Sequence, residues 1–236
     1  MPGVINRTDF EKLPYYYSNR MNIEAGDVLI KLDNSFTPTH CALVDRGRES
    51  LVHSIHAGVQ SGRMPSSRYA VWRFQGEHQL KFHPGYRAAQ IAEGWANSNI
   101  GYTGCSLNNQ SWGQWRAVIA KLGSSKFEKN AKNRLKKYRK RQNFAPKNMI
   151  CSELVILAYQ LSGNLGDGYF IEIDAKHATP PVVEAYLNKS KNWSPVFRVA
   201  KSGPSYGEMA KKFVKSDTGN QMQTIMRESM RDYLQN

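Results

Sequence analysis

KNMICSELVILAYQLSG, Lys147 to Gly163, is the stretch around which the rest of the chain arranges itself. From Ser152 onward, Leu154, Val155, Leu157, Ala158 and Leu161 recur at three- and four-residue steps, the spacing of a helix laid on a core. Gly163 reads as the C′ residue that ends the helix. Cys151 then falls in the first turn, where backbone N–H groups point outward and the helix dipole favours an anion. Such a position lowers a thiol pKa toward the nucleophilic thiolate and offers the cysteine's own N–H to a developing oxyanion. For a lone cysteine, a buried inert thiol is the better reading. The rest of the chain changes that balance.

Working outward, the strand signals lie upstream. GDVLIKL, Gly26 to Leu32, opens on a Gly-Asp turn and is rich in Val, Leu and Ile. THCALVD, Thr39 to Asp45, reads as a second strand, Arg46-Gly47-Arg48 as a hairpin turn, and LVHSIHA, Leu51 to Ala57, as a third strand that Gly58-Val59 can continue. YAVWRF, Tyr69 to Phe74, is a fourth, completing an antiparallel meander. Helical spacing returns over Gly85 to Asn97, and Lys126 to Arg141 reads as a basic helix, with Pro146 stopping it before Cys151. A short helix starts at Pro180-Pro181, and Trp193 to Ala200 is a closing strand. The expected organisation is a lead-in over 1–22, a catalytic domain over 23–200 with a basic insertion at about 101–147, and a helical tail over 201–236.

Composition bounds the class. The 236 residues are 40% hydrophobic and 11% aromatic, as in a folded globular chain. No apolar run approaches the roughly 20 residues of a membrane-spanning helix, and the N-terminus lacks the apolar core of a signal peptide. Three cysteines (Cys41, Cys105 and Cys151) at wide spacings argue against a disulfide framework, and no Cys/His cluster has zinc spacing. No cofactor or metal is expected. The net charge of +14 is concentrated between Lys121 and Lys147, where eleven basic residues face the single acid Glu128. A block of that kind is a solvated segment drawn to polyanions.

A cysteine nucleophile needs a base, and the strands supply histidines. With Val44 paired to Leu51, His40 lies opposite Ile55 and diagonal to His53, all on one face. A register slipped by one residue puts His56 there instead; the alternation Leu51-His53-Ile55 favours His53. One imidazole then takes the thiol proton while the other fixes its tautomer. His78 and His83, flanked by charged and loop residues, read as satisfied core or surface groups, and His177 lies in a loop.

THCALVDRGRESLVHSIHAGV followed much later by MICSELVILAYQLSG resembles the circularly permuted branch of the NlpC-type papain-like superfamily, which includes permuted amidase-like proteins and the lecithin:retinol acyltransferase group. The matching features are Gly26-Asp27, Thr39-His40 heading a strand, Val52-His53 followed by Gly58-Val59, Cys-Ser-x-Leu-Val from Cys151 to Val155, and Thr179-Pro180 before the last strand. The resemblance covers roughly Gly26 to Ala200. It implies an α+β, permuted papain-like fold: an antiparallel sheet or half-barrel packed against the cysteine helix. It also implies Cys151 as nucleophile, His40 as base and His53 as the third polar residue.

Three functions follow as expectations. The first is a thiol hydrolase, an amidase or endopeptidase on bacterial cell-wall peptides. The second keeps the chemistry but takes a lipid acyl donor at an anionic membrane. The third is a nucleic-acid-binding module on the basic block, ranked lowest because its aromatic interleaving is thin (Phe127, Tyr138, Phe144). A basic hydrolase without a signal peptide further suggests a protein that is cytoplasmic in its producing cell and delivered into rival cells by a secretion machine; a housekeeping intracellular enzyme fits the sequence almost as well. Its partners would then include an anionic polymer or membrane, an immunity protein and the secretion apparatus.

Overall fold

Short apolar runs cut by turns dominate residues 26–74, and such runs close into sheets rather than bundles. The computed structural model describes residues 7–14, 23–34, 38–64, 68–80, 83–102, 129–140, 146–176 and 178–199. Tyr15 to Tyr17, Cys105, His177, most of the insertion and the tail from 201 on lie outside the described residues. The strands are β1 (Val28–Leu32), β2 (Pro38–Val44), β3 (Ser50–Ile55), β4 (Gly58–Arg63), β5 (Tyr69–Phe74), β6 (Gly101–Tyr102), β7 (Asn148–Met149) and β8 (Trp193–Val199). The helices are α1 (Arg7–Lys12), α2 (Pro84–Ala96), α3 (Lys129–Arg139), α4 (Cys151–Ser162) and α5 (Pro180–Lys189).

Six strands form one antiparallel sheet in the order β4-β3-β2-β1-β5-β8, and β6 pairs with β7 in parallel. The chain is therefore α+β. The β1-to-β3 meander is as read; β4 extends it, and β5 returns to the far side of β1 and takes β8 beyond it. One strand was concealed in the sequence. Leu51 to Ala57 does not continue through Gly58-Val59; His56 and Ala57 form a tight turn, and β4 folds back with Ile55 opposite Gly58. Gly58 has φ of 102°, and a Cβ there would meet the Ile100 carbonyl oxygen at 2.4 Å, so only glycine fits this turn. The outer half of β4, Gln60 to Arg63, carries no apolar alternation because it is an exposed edge.

Both faces of the sheet are buried, which is why GDVLIKL and THCALVD read as nearly unbroken apolar runs. Val28, Ile30, Cys41, Leu43, Val52, Ala70 and Trp72 share one core with residues of α2 and α4. Leu29, Ala42, Val44, Leu51, Tyr69, Val71 and Val199 form a second on the opposite face. The Gly26-Asp27 opening serves as a bracket between them. Arg73 donates from Nε to Asp27 Oδ1 at 2.9 Å and from Nη2 to Oδ2 at 2.7 Å, and Tyr159 donates from its hydroxyl to the Gly26 carbonyl at 2.6 Å. Burial raises the Asp27 pKa, and Arg73 opposes that rise.

The helix that began the reading is buried on every side, from Cys151 through Ser162. Ser152, Tyr159, Gln160 and Ser162 are tolerated there because each finds a backbone partner. Ser152 Oγ donates to Ala178 O at 2.8 Å, and Gln160 Nε2 donates to Ile171 O at 2.7 Å and Ile173 O at 2.8 Å. Gly163 does not adopt the left-handed C′ conformation expected of it; its φ is −142°. Glycine is required there for space, since a Cβ would lie 2.3 Å from the Tyr169 ring.

Candidate functional site

The start of α4 is pinned from several directions. Just upstream, β7 pairs with β6, and Ser54 Oγ donates to Met149 O at 2.7 Å across a buried gap. Ser152 ties the first turn to Ala178. Ile150, the N-cap, is extended, and no side chain caps the helix.

The sheet register brings the predicted histidines together. Val44 pairs with Leu51 and Ala42 with His53, as the alternation predicted. His40 Nε2 lies 3.3 Å from His53 Nδ1, with the rings edge to face. His56 is in the turn after β3, against the Tyr102 ring. His83 proves to be a structural cap: its Nδ1 accepts from Gly85 N at 3.2 Å, so its Nε2–H donates to Phe74 O at 3.0 Å. His78 packs edge-on against His83 beside Phe74.

Electrostatics assigns the protons. The Cys151 thiol is held well below the usual thiol range, chiefly by a hydrogen bond from the Cys41 thiol and then by the hydrogen bond and charge of His40, against the opposing effect of burial. Cys41 is pushed well above that range by burial, by Cys151 and by the charge of Glu184. Of the two sulfurs, Cys151 is therefore the thiolate and Cys41 keeps its proton. His53 is lowered by burial and by the neighbouring His40, with Cys151 acting in the other direction. A neutral His53 can accept at Nδ1 from the Nε2–H of His40, which leaves His40 Nδ1 for the cysteine. The proton of His53 then sits on Nε2, which is buried and has no hydrogen-bond partner among the described residues. That nitrogen rests over Gly62 of β4, where a Cβ would come within 3.1 Å of it.

Two groups that act on the thiol, one by a hydrogen bond and one through charge alone, were not foreseen. Cys41 follows His40 directly, and strand alternation sends their side chains to opposite faces. Both nevertheless reach Cys151, because β2 and β3 pair only as far as Ala42 and His53 and the start of α4 lies where the strands part. Tyr69 is the second. Cross-strand pairing sets Tyr69 opposite Lys31 and Lys31 opposite His40, one row on one face. Burial and the charge of the two cysteines push the Tyr69 phenol up to about 12, so it stays protonated near neutral pH. A register drawn through to β5 could have found it.

The basic helix is anchored by two of its arginines. Arg134 pairs with Asp174, and Arg139 donates to the carbonyls of Gln160 and Gly163, at the far end of α4. Twelve helical residues span about 18 Å, so Arg139 is not at the mouth of the Cys151 site. Lys129, Lys132, Lys136, Lys137 and Lys140 form the exposed side of this segment. Among the described residues no group of three or more His, Cys, Asp or Glu is arranged to hold a metal, and no helix is long and apolar enough to cross a membrane. No family model, curated protein or solved structure matches the chain.

Proposed function

We propose that the chain is a cysteine hydrolase of the circularly permuted NlpC-type papain-like kind, an amidase acting on peptide bonds of the bacterial cell wall. The observation that carries this reading is the convergence at the N-terminus of α4. There a cysteine favoured as thiolate meets His40, and His40 is held by His53 at 3.3 Å. In this mechanism the Cys151 sulfur attacks the carbonyl carbon, and the oxyanion is met by the Cys151 N–H. His40 passes its proton to the leaving amine and then draws one from the water that resolves the acyl-enzyme. His53 touches neither substrate nor sulfur in this scheme; it keeps the His40 ring in the productive orientation.

A second acyl donor, a phospholipid ester, is favoured by one feature, the exposed lysine side of α3, which suits an anionic surface. The test separates the two. Peptidoglycan fragments and phospholipid vesicles are each incubated with wild type and Cys151→Ala and read by mass spectrometry. Release of a new amine terminus from the wall fragments, absent with the variant, supports the amidase. Release of fatty acid or lysolipid alone moves the assignment to lipid. Equal products from both proteins remove the hydrolase reading.

A further inference from the structure

Hydrolysis gives Cys41 no part beyond its hydrogen bond, yet its placement is specific. It sits on the helix-facing side of β2, opposite Ile30 and in the same buried core as Cys151, Leu154 and Val155. Both cysteines are free thiols, and their sulfurs lie within hydrogen-bonding reach of each other. Their access differs. Cys41 is fully enclosed, whereas Cys151 keeps 8% of its surface open. A small oxidant therefore meets Cys151 first, with a second thiol held behind it by a central strand.

We propose that Cys41 and Cys151 form a reversible oxidation site for hydroperoxides, closing to a Cys41–Cys151 disulfide. In the first step the Cys151 sulfur attacks the terminal peroxide oxygen; the S–O bond forms, the O–O bond breaks, hydroxide (from hydrogen peroxide) or alkoxide (from an organic hydroperoxide) leaves, and the sulfur loses two electrons to become a sulfenic acid. In the second step the Cys41 sulfur attacks the Cys151 sulfur. The S–S bond forms as the S–O bond breaks, and the departing hydroxide takes the Cys41 proton and leaves as water. The sulfurs need only close from hydrogen-bonding separation to about 2.05 Å, a side-chain movement between a strand and a helix end already packed together. The disulfide removes the nucleophile and spares it from the irreversible sulfinic stage. This site rests on the contact between the two thiols, not on the hydrolase reading.

The experiment treats the full-length chain with limiting hydrogen peroxide, blocks the remaining thiols with iodoacetamide and maps peptides without reduction. The expected product is a peptide joining Cys41 to Cys151, lighter by two hydrogens than the reduced pair and restored by dithiothreitol. In Cys41→Ser the sulfenic acid has no partner, so dimedone labelling of Cys151 should rise at least about tenfold over wild type and pass on to sulfinic acid with excess peroxide. Equal dimedone labelling in both proteins, a crosslink from Cys151 to Cys105 in place of Cys41, or a Cys151 that peroxide leaves untouched would each overturn the proposal. If Cys41→Ser does not fold, the wild-type map decides alone: Cys151 oxidised without the Cys41 crosslink is a negative result. A crosslink in a protein that hydrolyses nothing would leave this site standing and remove only the proposed amidase.

Discussion

The two ends of α4 are equally buried and chemically opposite. At the C-terminal end polar groups are answered by neighbours: Arg139 covers the carbonyls of Gln160 and Gly163, Gln160 bonds to Ile171 and Ile173, and the Tyr169 ring closes over Gly163. At the N-terminal end the N-cap residue Ile150 makes no side-chain cap bond, and the groups gathered there are two sulfurs and two imidazoles. Burial alone does not tell the two ends apart; the chemistry of the groups that meet each end does.

The sharpest way to break this comparison is to remove the sulfur. Cys151→Ala should lower hydrolysis by about a thousandfold or more while thermal unfolding stays within a few degrees of wild type. His40→Ala should lower turnover by about a hundredfold or more, again with the fold intact. His53→Ala should cost less, and His56→Ala, in the turn against Tyr102, little. A larger loss from His56 than from His53 would mean that the His40–His53 contact is not the one that matters.

Alkylation sharpens the same contrast without a substrate. Iodoacetamide near neutral pH should modify Cys151 well before Cys41, because the first is held as a thiolate and the second is enclosed and protonated. The Cys151 rate should persist below the usual thiol range and fall only as pH drops through its depressed pKa. Equal rates for the two sulfurs would count against the proton assignment.

At the other end of the helix the expected effect is on stability alone. Gly163→Ala forces a Cβ toward the Tyr169 ring and should destabilise the fold by about 1–3 kcal/mol, with the alkylation rate of Cys151 unchanged. A matching fall in the alkylation rate would show that the two ends are coupled.

The smallest expected effect is on acid stability. His53 has its pKa lowered by burial, so below the unfolded value of about 6.5 the unfolded chain binds more protons than the native one. Stability should therefore decline as pH falls through that window and level off below the folded pKa. His53→Gln should flatten the decline in a urea titration repeated across pH; an unchanged slope would indicate that His53 is not held neutral.

What the sequence determined by itself was everything governed by local period. The 3.6-residue spacing after Ser152 gave the helix and put Cys151 in its first turn, and the two-residue alternation around Val44 and Leu51 set the register that joins His40 to His53. Tertiary structure alone decided what those residues meet. Alternation separates Cys41 from His40, and only the parting of β2 from β3 beside the start of α4 lets both reach one sulfur. Gly62, beneath His53, belongs to a strand whose polar edge gave no pattern to read. The basic run next to Cys151 in sequence holds the far end of α4 in space, because Arg139 answers carbonyls that no residue within the helix could satisfy. Local periods fix which way a side chain leaves its own backbone; its partner across the core is fixed by packing between segments that the sequence keeps far apart.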